Sequence, residues 1–406
     1  MKTPSAFLIL PFLMLAGAAC AADPGPALEA HAATQAYMDR LSGAARASSD
    51  AYFEGKTWLL LWNALYGLAV AWLLLASGTS AKIRDAIERR LARANLRVFA
   101  FALVYFLLVA LLSLPLTVYA EYLREHQYGL SNMTFAAWLG QFCIALLVDM
   151  ALSAVAITGF YAFLRRTPRT WWAWGTLAGG GFIVLMIMIS PVFIAPLFNT
   201  YQPLPHGPLR DDILAMARAN GIPAENVYWF DASKQSKRIS ANVSGLFGTT
   251  RIALNDNLLN RTSPAEIRAV MAHEMGHYVL NHGVKHSVAF TLLLLGGLLF
   301  IRAGWAFASA RWGTRFGVRG IDDVAGLPLV GALFSVWLLI ITPVFNTVIR
   351  SAETEADLFG LNAAREPDGF AEAIFKLAEY RKLQPGALEE VLFFDHPSGY
   401  NRIFAA

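Results

Sequence analysis

Thr262-Ser263-Pro264-Ala265-Glu266-Ile267-Arg268-Ala269-Val270-Met271-Ala272-His273-Glu274-Met275-Gly276-His277-Tyr278 is the stretch around which the chain is organised. Its first residues predict a helix before they predict a site. Ser263 suits an N-cap, Pro264 the first helical position, and Glu266 completes an S-x-x-E capping box. One turn further on comes His273-Glu274-Met275-Gly276-His277. Residues four apart share a helix face, so both imidazoles can reach one metal ion. Glu274 follows the first imidazole directly, where its carboxylate can reach an activated water without ligating. HExxH on a helix is the arrangement of a zinc hydrolase.

The rest of the chain reads as a membrane protein. Of its 406 residues, 56% are apolar and only 15% charged, against roughly a quarter charged in soluble domains. The formal charge of +4 comes from short arginine clusters between apolar runs. That placement sets membrane orientation and argues against nucleic-acid binding. Two cysteines, Cys20 and Cys143, make no disulfide framework.

Met1-Lys2, an apolar core from Ala6 to Leu15 and small residues through Ala22 read as a signal peptide over 1–22, with a retained first transmembrane helix as the alternative. Residues 23–56 read as a helical lead-in at the membrane surface. Four apolar runs long enough to span a bilayer cover about 57–77, 97–120, 136–164 and 171–198, which completes an N-terminal membrane region over 23–198. Asp149 in the third run is costly in hydrocarbon and is expected to face a polar cavity or a partner.

From Asn199 to residue 284 the composition becomes soluble. The pattern predicts a helix from Pro208 to Asn220 ended by Gly221, a strand at 226–230, a hairpin at about 238–254, and then the metal helix. Two more spans follow within 285–349, at about 287–308 and 325–349, and 350–406 reads as a soluble helical tail. The expected fold is mainly α: a polytopic transmembrane helical bundle of six spans, plus the signal peptide or seventh helix. It carries a small α+β zinc metalloprotease domain built from 199–284 and the tail.

A zinc hydrolase needs a third protein ligand and one open position. In Asn346 to Asp357, Glu353 and Asp357 lie four apart on one predicted helix face. Glu353 can ligate while Asp357 hydrogen-bonds a ligand imidazole. Glu355 points elsewhere and reads as a solvated surface charge. His282 and His286 are alternative ligands, but His282, five residues after His277, falls off the ligand face and reads as a polar residue near the membrane surface. Near the end stands Asp395-His396-Pro397-Ser398, with Arg402 six residues after His396. An imidazole held there can donate to a tetrahedral oxyanion.

With these residues in place the chain resembles the M48 family of membrane metalloproteases, and within it the CAAX prenyl protease (Ste24-like) branch. The resemblance runs from about Pro115 to Arg402. It includes Glu125 to Leu130, Pro196-Leu197-Phe198-Asn199 through Pro203-Leu204-Pro205, Ser240-Ala241-Asn242 with Gly245 and Gly248, and Arg251 to Asp256. HEMGH, Arg350 to Asp357 and His396-Pro397 complete it. The resemblance implies one zinc ion held by His273, His277 and Glu353, with Glu274 as general base. It implies His396 and Arg402 beside the reacting carbonyl, Asn242 on an edge strand that binds substrate backbone, and a large chamber between the spans. Three departures stand out: Ala241-Asn242-Val243 replaces the Asn-Ala-Tyr of eukaryotic members, Ile349 replaces the usual Ser before the Arg, and the first family helix corresponds here to the expected signal peptide.

The function expected is an integral-membrane zinc endopeptidase acting on hydrophobic or lipidated peptides. A quality-control protease of the envelope without prenyl recognition is the alternative. A transporter or scaffold with a structural zinc site is the alternative of another class, and the unligated Glu274 argues against it. Lys82, Arg84, Arg89, Arg90, Arg93 and Arg97, then Arg165, Arg166 and Arg169, then Arg311, Arg315 and Arg319 mark alternate loops. Positive loops favour the cytoplasm, so the catalytic domain is expected to face the periplasm from a bacterial inner membrane.

Overall fold

The computed structural model describes residues 25–245 and 250–406. The 1–22 segment with Cys20, and Gly248, lie outside the described residues. Among the described residues, six helices are long and apolar enough to cross a membrane: Gly43–Ala76, Ala94–Gln127, Phe135–Arg166, Trp171–Leu197, His282–Phe316 and Val324–Ala364. Each of the six expected apolar runs falls within one of them. The lead-in differs from expectation. Residues 43–56 continue directly into the first span, while the preceding helix, Gly25–Arg40, packs on the C-terminal helices. Met38 is buried there with Ala269, Phe370 and Ile374, and Arg40 pairs with Glu372 at 2.6 Å.

The small sheet has four strands: β1 Tyr201–Pro203, β2 Val227–Phe230, β3 Ala241–Ser244 and β4 Arg251–Asn255. Their order is β1-β2-β4-β3. The predicted hairpin is the antiparallel β3–β4 pair. β2 pairs with β4 in parallel, which brings the helix Pro208–Ala219 and the metal-motif helix Pro264–Val279 together over one core. That core is formed by Ile213, Val227, Ile252, Leu254, Ile267 and Met271, among others. Gly221 ends the first of these helices with φ +71°, a backbone state that glycine adopts without steric cost.

The two ends of the bundle differ in kind. At one end, the last turn of the second span and the loop after it are tied to the segment around β3. Asn132 N donates to Gln235 O at 3.0 Å, and Arg238 Nη2 donates to Glu125 Oε2 at 2.6 Å. At the other end the arginine-rich loops meet one another. Buried Arg84 pairs with Asp323, Arg319 with Glu88 at 3.0 Å, and Arg165 Nη2 donates to Asn95 Oδ1 at 2.5 Å. Asp149 is exposed on the third span and has no ion-pair or hydrogen-bond partner among the described residues.

Candidate active site

The metal-motif helix begins as its sequence requires. Ser263 Oγ accepts from Glu266 N and Glu266 Oε2 accepts from Ser263 N, each at 3.3 Å. The helix then lies against Leu327–Ala364, the helix of the sixth span, which continues past the apolar run. The approach is close because Gly360 stands where a Cβ would sit 2.9 Å from His273 N. On that facing helix Glu353, Ala356, Asp357 and Gly360 are all buried. This is the i, i+3, i+4, i+7 stripe of a packed helix face.

The stripe delivers Glu353 to the two imidazoles. His273 Nε2 and His277 Nε2 are 3.2 Å apart, and Glu353 lies 3.3 Å from the first and 3.4 Å from the second. One ligand atom from each residue falls within a 4.8 Å group. A tetrahedral ion with bonds of about 2.0–2.1 Å sets its ligands about 3.3 Å apart. Glu353 Oε2 is also buried without a hydrogen-bond partner. Three donors at this spacing, one of them an orphaned carboxylate oxygen, fit a zinc-sized cation. Burial first, and then His273, hold His277 down to about 4, whereas, against its burial, Asp357 and Glu353 raise His273 to about 9. Both rings must be neutral to ligate, so binding of a cation would release the His273 proton.

The supports of these residues are polar and buried. His273 Nδ1 lies 2.8 Å from Asp357 Oδ1, and Asp357 receives two hydrogen bonds from Arg402, from Nε at 2.8 Å and Nη2 at 2.5 Å. Arg402 therefore lines the cleft with two of its donors already engaged. Glu274 faces the same cleft beside Glu353 and His396, and burial raises it to about 7. His396 reaches the cleft from the C-terminal turn, with Nδ1 2.8 Å from Asp395 Oδ1 and Nε2 3.2 Å from Glu353 Oε2. Arg350 fixes that turn by donating to the carbonyls of Glu390 at 2.9 Å and Phe394 at 2.6 Å.

Asn242 sits on β3, the outer strand of the sheet, paired with Ala253. Its neighbours Ser240 and Ala241 line the cleft. His282 differs from its sequence reading. It is buried, its Nδ1 lies 2.8 Å from His277 Nδ1, and its Nε2 lies 3.2 Å from Glu355 Oε2. Glu355 is accordingly engaged by His282, and by Lys285 at 2.5 Å. The cause is Asn281, whose φ of +56° breaks the helix after the motif and turns His282 back onto His277. Asn in the left-handed region is a recognised helix stop, and that was the available signal. Arg381, whose Nη2 donates to His396 Nε2 at 3.4 Å, carried no motif and was not anticipated.

Fold and site together define a polytopic membrane protein carrying an HExxH metallopeptidase cleft at one end of its helical bundle. The profile of peptidase family M48 matches residues 203–406. That of the CAAX prenyl protease N-terminal region, described as five membrane helices, matches 27–200, where the described residues hold four apolar spans. The chain belongs to peptidase family M48 and is a membrane metalloprotease of the CAAX prenyl protease-like type. It is 30% identical to YhfN of Bacillus subtilis, which is named an uncharacterized metalloprotease, over 88% of this chain and 84% of that one. It is 27% identical to the CAAX prenyl protease 1 homolog of Oryza sativa over 80% and 76%. The crystal structure of S. mikatae Ste24p superposes with a TM-score of 0.77 over 93% of this chain and 95% of the other, at 21% identity, so the fold is shared. The transporter or scaffold alternative is thereby set aside.

Proposed function

We propose that the chain is a zinc endopeptidase with His273, His277 and Glu353 as ligands and Glu274 as general base. The observation that carries this is the convergence of three ligand atoms, from two imidazoles and one carboxylate, within 4.8 Å, beside a second carboxylate, Glu274, that stands outside the group. Zinc, when bound, supplies a Lewis acid that polarises the scissile carbonyl and acidifies water. Glu274 takes the proton of the attacking water and passes it to the leaving amine. His396 is the donor to the developing oxyanion. Its Nδ1 is committed to Asp395, so Nε2 donates only from the protonated ring, a form favoured as negative charge builds on the carbonyl oxygen. Asp357 orients His273, and Arg402 holds Asp357 while facing the substrate. Substrate backbone joins the free edge of β3 at Asn242 as an added strand.

The substrates proposed are apolar or lipid-anchored peptides delivered from the bilayer. In support, the cleft lies at the bundle's end with membrane helices running directly into two of its elements, and several relatives are named CAAX prenyl proteases. The catalytic end is proposed to face the periplasm of a bacterial inner membrane, supported by the gathering of Arg84, Arg165 and Arg319 at the opposite end. The test pairs farnesylated and unmodified versions of one peptide with the purified enzyme. Cleavage of both at comparable kcat/KM supports the broad preference. A strict requirement for the prenyl group overturns it in favour of narrow CAAX specificity, and cleavage of neither overturns the substrate class.

A further inference from the structure

A second cavity, of about 220 Å³, adjoins the catalytic cleft and shares Arg381, His396 and Arg402 with it as a common wall. Its lining carries five cationic side chains, Lys56, Arg238, Arg381, Lys382 and Arg402, against one carboxylate, Asp395. Three of the five are already neutralised. Arg238 pairs with Glu125 at 2.6 Å, Lys382 with Glu54 at 2.8 Å and Glu389 at 3.0 Å, and Arg402 with Asp357 at 2.5 Å. Asp395 is taken up by His396 at 2.8 Å. Lys56 and Arg381 are left with no acidic partner within ion-pair distance among the described residues. Burial, and then the neighbouring Arg402, pull the Arg381 guanidinium below its ordinary value. Arg381 is partly buried and Lys56 exposed; a partly desolvated arginine without a counter-charge is unfavourable, and an anion in the cavity relieves that cost.

The identity of the anion follows from the position. A peptide whose scissile carbonyl lies against His396 needs only to pass Arg381 to enter this cavity. Phe53, Leu383 and Phe394 supply apolar walls there. We infer that the cavity between Lys56 and Arg381 is a subsite for a peptide carboxylate a short distance along the chain from the scissile bond. Either the free C-terminus or an acidic side chain supplies that group. Arg381 receives it through a two-pronged hydrogen bond and Lys56 through a point charge. Low-dielectric walls and a surplus of positive charge focus the field on it. The inference rests on the peptidase reading above and adds to it the feature by which a substrate end is recognised.

Three labelled peptides of one apolar sequence test it: a free C-terminal acid, the C-terminal amide, and an amide ending in Asp. Affinity is read by fluorescence anisotropy on the full-length Glu274→Gln protein in nanodiscs, and kcat/KM on the wild type. The acid is expected to bind roughly tenfold or more tightly than the amide, the effect of one charge-assisted hydrogen bond. Arg381→Met and Lys56→Met should each bring that ratio toward one, and Arg381→Lys should restore part of it. An Asp-ended amide that binds like the acid assigns the pocket to side-chain carboxylates, and one that binds like the plain amide assigns it to the chain terminus; both uphold the subsite. Equal affinity of acid and amide for the parent protein overturns it. So does a preference that survives both Met variants. If Arg381→Met does not fold, Lys56→Met, which touches no catalytic side chain, decides alone. Failure of the wild type to cleave any of the three counts against the peptidase reading and leaves the binding ratio as an independent result.

Discussion

Arg402 clamps Asp357 through two hydrogen bonds, at 2.8 and 2.5 Å, and both side chains are buried. Because Asp357 in turn lies 2.8 Å from His273 Nδ1, the clamp fixes the ring whose Nε2 is proposed to hold the metal. Arg402→Met leaves a buried carboxylate without its partner and is expected to destabilise the protein by about 3–5 kcal/mol. Zinc affinity should fall roughly 10–100-fold with the loss of ring orientation. Thermal unfolding in detergent and chelator competition read the two effects. A variant with unchanged zinc affinity and a raised KM alone would return Arg402 to a purely substrate-binding role.

Removing the base and removing a ligand should look different. Glu274→Gln is expected to keep zinc at one ion per chain while activity falls by roughly 10²–10⁴-fold, the range for a lost general base, or more. Glu353→Ala should lose the metal itself. Metal content by emission spectroscopy, measured beside peptide hydrolysis, separates the two. Retention of more than about a tenth of wild-type activity in Glu274→Gln would remove it from the mechanism.

His282 extends the metal site further than the motif does. Through 2.8 Å to His277 Nδ1 and 3.2 Å to Glu355, it holds one ligand ring as Asp357 holds the other. His282→Ala is expected to weaken zinc binding roughly 10–100-fold with Glu274 in place. Glu355→Ala, acting through an exposed carboxylate shared with Lys285, should do less. An unaltered zinc dissociation constant in His282→Ala would reduce the contact to packing.

These cases mark what the sequence could disclose. The motif helix was legible because its cap, its periodicity and its chemistry all sit within 16 residues. Glu353 and Asp357 were legible because a second helix face repeats the same four-residue spacing. His282 was read only as a polar residue near the membrane surface; its contact with His277 was not legible, because it depends on the left-handed Asn281 redirecting the chain. The parallel β2–β4 pairing and the unpaired Arg381 depend on contacts between segments far apart in sequence, for which no local pattern exists. The six spans were plain from length and apolarity.

The pH dependence follows from Glu274. Burial raises it from 4.5 to about 7, with Glu353 adding to the effect and His273 opposing it. A carboxylate serves as base only when ionised, so kcat/KM should fall as pH drops through its working value. A bound dication lowers that value, so the acid limb is expected below about 7. Below the limb the fall should be about tenfold per pH unit. Zinc content followed in parallel distinguishes protonation of the base from loss of the ion. A flat profile down to the ordinary carboxylate value would mean that burial does not tune this group.

Orientation in the membrane can be read directly. The loops bearing Arg84, Arg165 and Arg319 meet at the end of the bundle opposite the cleft, so one labelled residue at each end suffices. Glu225, in the loop before β2, and Thr314, at the arginine-rich end, are both exposed. Single cysteines at these positions, with Cys20 and Cys143 replaced by alanine, are treated in intact cells with a membrane-impermeant thiol reagent. Positive loops retained in the cytoplasm require labelling at position 225 and protection at 314 until the cells are lysed. The opposite pattern would put the catalytic end in the cytoplasm, where its peptides would have to come from the inner leaflet.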